Sequence, residues 1–311
     1  MPLPPAPPRA FFYLPWLVAL LALVLAETFP TAVIRSGEWA FLGSAVFLGL
    51  PHGALDLWWP RWEWPTLRKI RPYLAYLGAY LAAMGLMALI WRWNVAVAFS
   101  GFVFLTAWHW GSGDLWPWPQ KVGPAIFLSF GKGLLVMGAP LAFHSAEVGK
   151  FFVDLSGTSI PDASWRQIGV GLVVAAAIAQ TIGSTRPGRT PWKAPAAEWV
   201  GLLLLAWRLP AFAFVALYFA WFHSFRHILR VMAQPAATAP GRMLWRGTIV
   251  AIAMVAAVLT VILHENGAVP SLASSLGSYF VALSVLTLPH ALLVAAWDRR
   301  SWLNVGAPPS N

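Results

Sequence analysis

The sequence predicts an all-α fold, a polytopic bundle of about ten membrane helices forming one domain over residues 1–311. Three observations predict it. The composition is 59% hydrophobic and 10% charged, whereas soluble domains are typically about 25% charged. The apolar residues gather into stretches near the length of about 20 residues that a spanning helix needs. Basic residues collect in alternate connections, the bias that marks cytoplasmic loops.

The chain begins with a proline-rich stub, "MPLPPAPPRA", over 1–10. The first stretch, 11–29, resembles a signal peptide, but "AETFP" continues into further apolar sequence without a small-x-small cleavage site, so it is read as a span. The second, 38–58, carries "GLPHGALD" and leads into a basic connection; 73–91 follows. Stretch 94–115 holds "WHWGSGD", and 123–143 is weaker because it contains Lys132. Then come 165–184, the short 194–208 that ends at "RLP", 210–231 with "HSFRH", 246–263, and 275–297 with "TLPH". Without the two weak stretches the count falls to eight.

Charge placement supports ten. The N-terminus and the connections after even spans hold Arg9, Arg61, Arg68, Lys69, Arg71, Lys121, Arg186, Arg189, Lys193, Arg230, Arg242, Arg246, Arg299 and Arg300. Those after odd spans hold Arg35, Arg92, Lys150, Arg166 and Arg208, and Lys132 and Arg226 lie inside spans. The bias predicts a multi-pass protein of the inner (plasma) membrane with both termini cytoplasmic. Dropping the short seventh span would put the connections at Arg189 and Arg242 on opposite faces. The net charge of +10 is therefore assigned to loops, and no nucleic-acid partner is expected.

The sequence has no cysteine, which excludes disulfides, thiolate metal sites and cysteine nucleophiles. No P-loop, dinucleotide fingerprint or Ser–His–Asp arrangement stands out. The seven histidines form two groups. His144 and His264 sit at outer ends of spans, where capping or exposure explains them. His52, His109, His223, His227 and His290 all lie in even-numbered spans that run the same way. Each stands a similar number of residues before the first cytoplasmic charge, which puts all five at one depth. Ionisable groups inside spans are costly and mark functional interiors.

The pair His223 and His227 shares one face of an ideal helix at i and i+4, where both imidazoles can reach one metal. His52 and His109 can complete a four-histidine set. Neutral imidazole suits Fe, Cu, Ni or Zn, and spacing does not choose among them. Asp56, four residues after His52, and Asp114, five after His109, are candidates to orient ligands from behind, together with His290. The plain alternatives are a helix-terminal role for Asp114 and an ion pair between Asp56 and Arg226. Pro51 and Gly53 would open the backbone beside His52, as spans lining cavities tolerate. Trp108, Trp110, Tyr218, Phe219, Trp221, Phe222 and Tyr279 are either pocket wall or ordinary packing.

Four motifs in order, "GLPHGALD" (49–56), "WHWGSGD" (108–114), "YFAWFHSFRHI" (218–228) and "TLPHALLV" (287–294), resemble the Brp/Blh family of membrane carotenoid cleavage enzymes over about 38–297. The resemblance implies cleavage of β-carotene at its central 15,15′ double bond to two all-trans-retinal, with O₂ and Fe(2+). It implies that His52, His109, His223 and His227 bind the iron, with His290 matching the last motif, and that the product serves a microbial rhodopsin. Three other readings remain: a different histidine-ligated membrane iron oxidase, such as a lipid desaturase or hydroxylase; a transporter or proton relay; and a non-catalytic haem- or carotenoid-binding partner of a rhodopsin. The absence of any adjacent histidine pair weighs against the first, and the absence of detectable inverted repeats against the second.

Overall fold

The computed structural model describes residues 7–116, 122–185, 193–234, 240–266 and 272–304; most of the proline-rich stub, Lys121, Arg186, Arg189 and the His264 side chain lie outside them. The described residues form helices, with no strand among them. Helix α1 spans Arg9–Thr28. A break at Phe29, followed by proline at the first helical position, starts α2, Pro30–Ser44. A π-helical turn, Ala45–Gly49, leads into α3, Leu50–Ala54, a 3₁₀ turn, Leu55–Leu57, and the short α4, Pro60–Glu63. Helix α5, Ile70–Trp93, ends at Asn94, whose side chain accepts from the Val97 amide at 3.0 Å and so caps α6, Val95–Gly113.

Then come α7, Val122–Phe143, α8, Ser145–Ser156, α9, Asp162–Thr185, and α10, Lys193–Arg208. Helix α11, Ala211–Leu217, passes through a second π-helical segment, Tyr218–Ser224, into α12, Phe225–Met232. Helices α13, Pro240–Asn266, and α14, Leu272–Asn304, complete the bundle.

Among the described residues, eight helical segments are long and apolar enough to cross a membrane. They are not the eight that remain when the two weak stretches are dropped. Stretch 123–143 qualifies by length and apolarity despite Lys132, and that ammonium is buried against Asp114 and Glu198. The 16-residue α10 falls short in length, and α13, which carries the expected span 246–263, is also outside the eight. Helix α8 was not anticipated: twelve residues are too few to span. It positions α11, because the Glu147 carboxylate accepts from the amides of Ala211 (2.8 Å) and Phe212 (3.1 Å) at that helix's N-terminus.

Two glycines bring α6 and α7 together. A Cβ on Gly111 would lie 1.9 Å from the Ser129 carbonyl oxygen, and one on Gly133 would lie 1.7 Å from that of Ala107. Small residues of this kind allow membrane helices their closest approach, where no hydrophobic force draws helices together. The outer surface carries large exposed apolar side chains, among them Leu17, Leu20, Leu74, Leu89 and Ile178. Such a surface is suited to lipid.

Candidate metal centre

Four helical segments converge on a buried cluster of imidazoles. His52 comes from α3, His109 from α6, His223 and His227 from the π segment and α12, and His290 from α14, and none is more than 6% exposed. Ring centroids are 4.7 Å apart for His52–His290, His109–His223 and His109–His290, and 5.3 Å apart for His52–His223. One nitrogen from each of His52, His109, His223 and His290 can be chosen so that all four lie within 4.8 Å of one another. His227 stands beside this set, 5.2 Å from His290, 5.5 Å from His52 and 6.4 Å from His223 by ring centroid.

The geometric set therefore differs from the sequence-expected set in one member, with His290 in and His227 out. His223 lies near the end of the π-helical segment and His227 in α12, and their rings stack 6.4 Å apart, with His290 brought in from α14 to the nearer position.

The orphaned nitrogens fit a metal. Both ring nitrogens of His109, His223 and His227, Nδ1 of His52 and Nε2 of His290 are buried without a hydrogen-bond partner. Burying a polar atom unpaired costs free energy, and convergent lone pairs recover it when a cation accepts them. The His290 Nδ1–H donates to Asp56 Oδ2 at 2.7 Å, leaving Nε2 as the free nitrogen. A carboxylate behind a histidine in this way sets the tautomer and raises ligand basicity.

Asp56 thus serves His290, neither orienting His52 nor pairing with Arg226, as the sequence had suggested. The chain leaves α-helix at Leu55 for a 3₁₀ turn, which removes the shared face that four-residue spacing implies. The Asp56 carboxylate also accepts from Trp59 Nε1 and Tyr80 Oη, each at 3.0 Å. Tyr76 and Tyr73, on the same face of α5, donate to the carbonyls of Asp56 (2.9 Å) and Leu57 (2.6 Å).

Asp114 is equally buried behind His223, with Oδ1 3.8 Å from Nδ1. Its Oδ2 accepts from Tyr218 Oη at 2.5 Å and pairs with Lys132 Nζ at 2.9 Å. Lys132 also contacts Glu198, whose carboxylate takes a two-pronged bond from Arg226, 2.8 Å on each arm. Arg226 continues to the Phe11 carbonyl at 3.2 Å, tying α1 to the network. Two acids and two bases make this group neutral in a place where an unpaired charge could not persist.

The aromatic residues divide. Phe219 and Trp110 stack on each other at 5.6 Å and border the cluster, Phe219 at 5.8 Å from His52 and Trp110 at 5.7 Å from His223. Phe222 packs away from the cluster on Trp16 of α1, and Tyr279 packs on Phe41. His144, outside the site, is hydrogen-bonded through Nε2 to the Ala206 carbonyl at 3.0 Å.

Lys132, Glu198, Tyr80 and Trp59 escaped notice in the sequence as site residues. The first two carried a usable signal: an ionisable group in an apolar stretch needs a partner of opposite charge. The other two carried none, since tyrosines and tryptophans are abundant at membrane interfaces for unrelated reasons.

Residues 44–298 match the family model described as beta-carotene 15,15′-dioxygenase. The chain belongs to this family. A relative from Halobacterium salinarum, named probable beta-carotene 15,15′-dioxygenase Blh, is 30% identical over 91% of this chain and 89% of its own length. A beta-carotene 15,15′-dioxygenase from the uncultured marine bacterium 66A03 is 26% identical over 83% of this chain and 92% of its own. No solved structure matches. The dioxygenase-family stretch contains all five histidines, both aspartates and the Lys132–Glu198–Arg226 network, whereas Phe11 and most of α1 and α2 precede it.

Proposed function

We propose that the chain cleaves β-carotene at the central 15,15′ double bond to two all-trans-retinal, using Fe(2+) and O₂, from within the inner membrane and with both termini cytoplasmic. The observation that carries this reading is the buried set of unpartnered imidazoles in a family named for that reaction. His52, His109, His223 and His290 are the proposed ligands; His227 stands next to them. A purely imidazole donor set with no cysteine suits iron, whereas the oxygen-loving Mg and Ca are poor matches. When bound, iron(II) supplies the activation of O₂ beside the polyene.

The protein's own residues do the remaining work. Asp56 holds the proton on His290 Nδ1, which keeps Nε2 available. Asp114, neutralised by Lys132 and held by Tyr218, places a carboxylate 3.8 Å from His223 Nδ1. Phe219 and Trp110 form an apolar wall that keeps water from reactive species. Placing one double bond at the cluster determines where the chain is cut. Both oxygen atoms of one O₂ become the two aldehyde oxygens, so the balance needs no proton donor or acceptor. A microbial rhodopsin is the proposed consumer of the retinal.

The test is expression in a β-carotene-accumulating bacterium, with pigment and retinal quantified by chromatography. Loss of colour with retinal formation is expected, and His52→Ala should abolish both loss and product. Unchanged pigment from a metal-loaded, membrane-inserted chain would overturn the reading.

A further inference from the structure

Beside the cluster lies an apolar cavity of about 210 Å³, bordered by His52, Gly53, Asp56 and His290 and walled by Leu57, Leu77, Leu81, Val250, Leu283 and Leu286. The polar atoms of its walls are largely committed: Tyr80 Oη to Asp56, Thr287 Oγ1 to the Leu283 carbonyl, and Asp56 to His290. The unpartnered ring nitrogens among its side chains are those of His52 and His290. A cavity of this chemistry favours a hydrocarbon and offers little to a hydroxyl.

The mouth opens toward lipid. Leu81 on α5 is 58% exposed and Val250 on α13 is 40% exposed, yet both also line the cavity. Helix α5 packs chiefly on α14 and α6, and α13 chiefly on α3, with α14 touching both.

Three glycines line this cavity, and Gly247 and Gly53 do different things there. Gly247 is a packing glycine: an added Cβ would meet the Trp58 ring at 2.5 Å and the Ala54 carbonyl at 2.8 Å. At Gly53 an added Cβ meets no heavy atom within 4 Å. Space is therefore left free at the residue next to His52, in a helix where alanine would be intrinsically better by about 1 kcal/mol.

We propose that Gly53 is a specificity-determining residue: its missing side chain keeps open the passage by which a long conjugated hydrocarbon enters laterally from the bilayer, between α5 and α13, and reaches the histidine cluster. This rests on the cleavage reading for its substrate class but concerns binding, which can be measured without turnover. A Cβ at 53 meets no heavy atom of the fold, so a side chain there starts into the open space beside the cavity.

The experiment uses the full chain in detergent, stripped of metal by chelation, with β-carotene retention read from its visible absorbance after gel filtration. The wild type should retain carotene. Gly53→Leu should lower retention roughly tenfold or more and Gly53→Ala by less, as expected for methyl groups added to a fitted pocket. Gly78→Leu, on α5 and likewise with open space around its Cβ, should retain carotene like the wild type. Metal reloading and thermal unfolding of Gly53→Leu should match the wild type. Wild-type-like retention by Gly53→Leu would overturn the proposal, as would no retention by the wild type, or a loss of retention accompanied by equal loss of metal and stability. A wild type that binds carotene but never bleaches it when loaded with iron would sink the cleavage reading and leave the passage standing.

Discussion

Asp56 shows how one residue can be seen in the sequence and misassigned. Its burial inside an apolar stretch marked it as functional, but the partner was His290, 234 positions away. Replacing it with asparagine keeps the shape and removes the carboxylate that sets the His290 tautomer. Asp56→Asn should weaken metal affinity about 10–100-fold, measured by chelator competition, with helicity unchanged. His290 and His227 make a sharper contrast. If the cluster geometry sets the ligands, His290→Ala should lose metal as His52→Ala does, while His227→Ala keeps most of it; metal content per chain decides, and the reverse order would restore the sequence-expected set. Lys132 is the third case. Lys132→Met leaves Asp114 and Glu198 buried without their shared cation, a change that costs about 3–5 kcal/mol when one partner of a buried pair is removed. Thermal unfolding in detergent should register that loss, and adding Asp114→Asn should recover part of it.

Among the elements, the two π-helical segments matter most for the site. Ala45–Gly49 leads directly into α3, which carries His52, Tyr218–Ser224 contains His223, and the two pack on one another. Their contact relies on Gly49, where an added Cβ would come within 2.7 Å of the Phe219 ring. Gly49→Val should therefore push Phe219 from its place between Trp110 and His52. The expected signature is a lower rate of bleaching with a more modest loss of stability, measured on the same preparations by retinal formation and unfolding. Single-residue periodicity could not reveal these segments, because a π turn is a local excess of one residue that hydrophobic spacing averages out. The spans themselves were legible, since length and apolarity are properties of each stretch alone. Helix α8 and the contact of Glu147 with α11 were not, for twelve amphipathic residues carry no spanning signal.

At the scale of the whole molecule, an ion held by His52, His109, His223 and His290 would join distant parts of the chain and so link metal content to the stability of the bundle. Removing it by chelation should abolish bleaching and lower the unfolding temperature. A ligand present at about a hundred times its dissociation constant stabilises the folded state by roughly 2.7 kcal/mol. Restoring iron(II) should recover both properties, and restoring magnesium should recover neither. By itself the sequence determined the all-helical membrane class, the position of nearly every long helix and the common depth of five histidines. These follow from rise per residue and the exclusion of charge from hydrocarbon, which act on each segment separately. Tertiary structure alone decided which four imidazoles draw closest, which acid stands behind which histidine, and that Lys132 is neutralised inside the bundle. Those are relations between segments, set by helix rotation and by local departures from α-helical geometry. A pattern of residues along one strand of sequence holds no record of the angle at which it will face another.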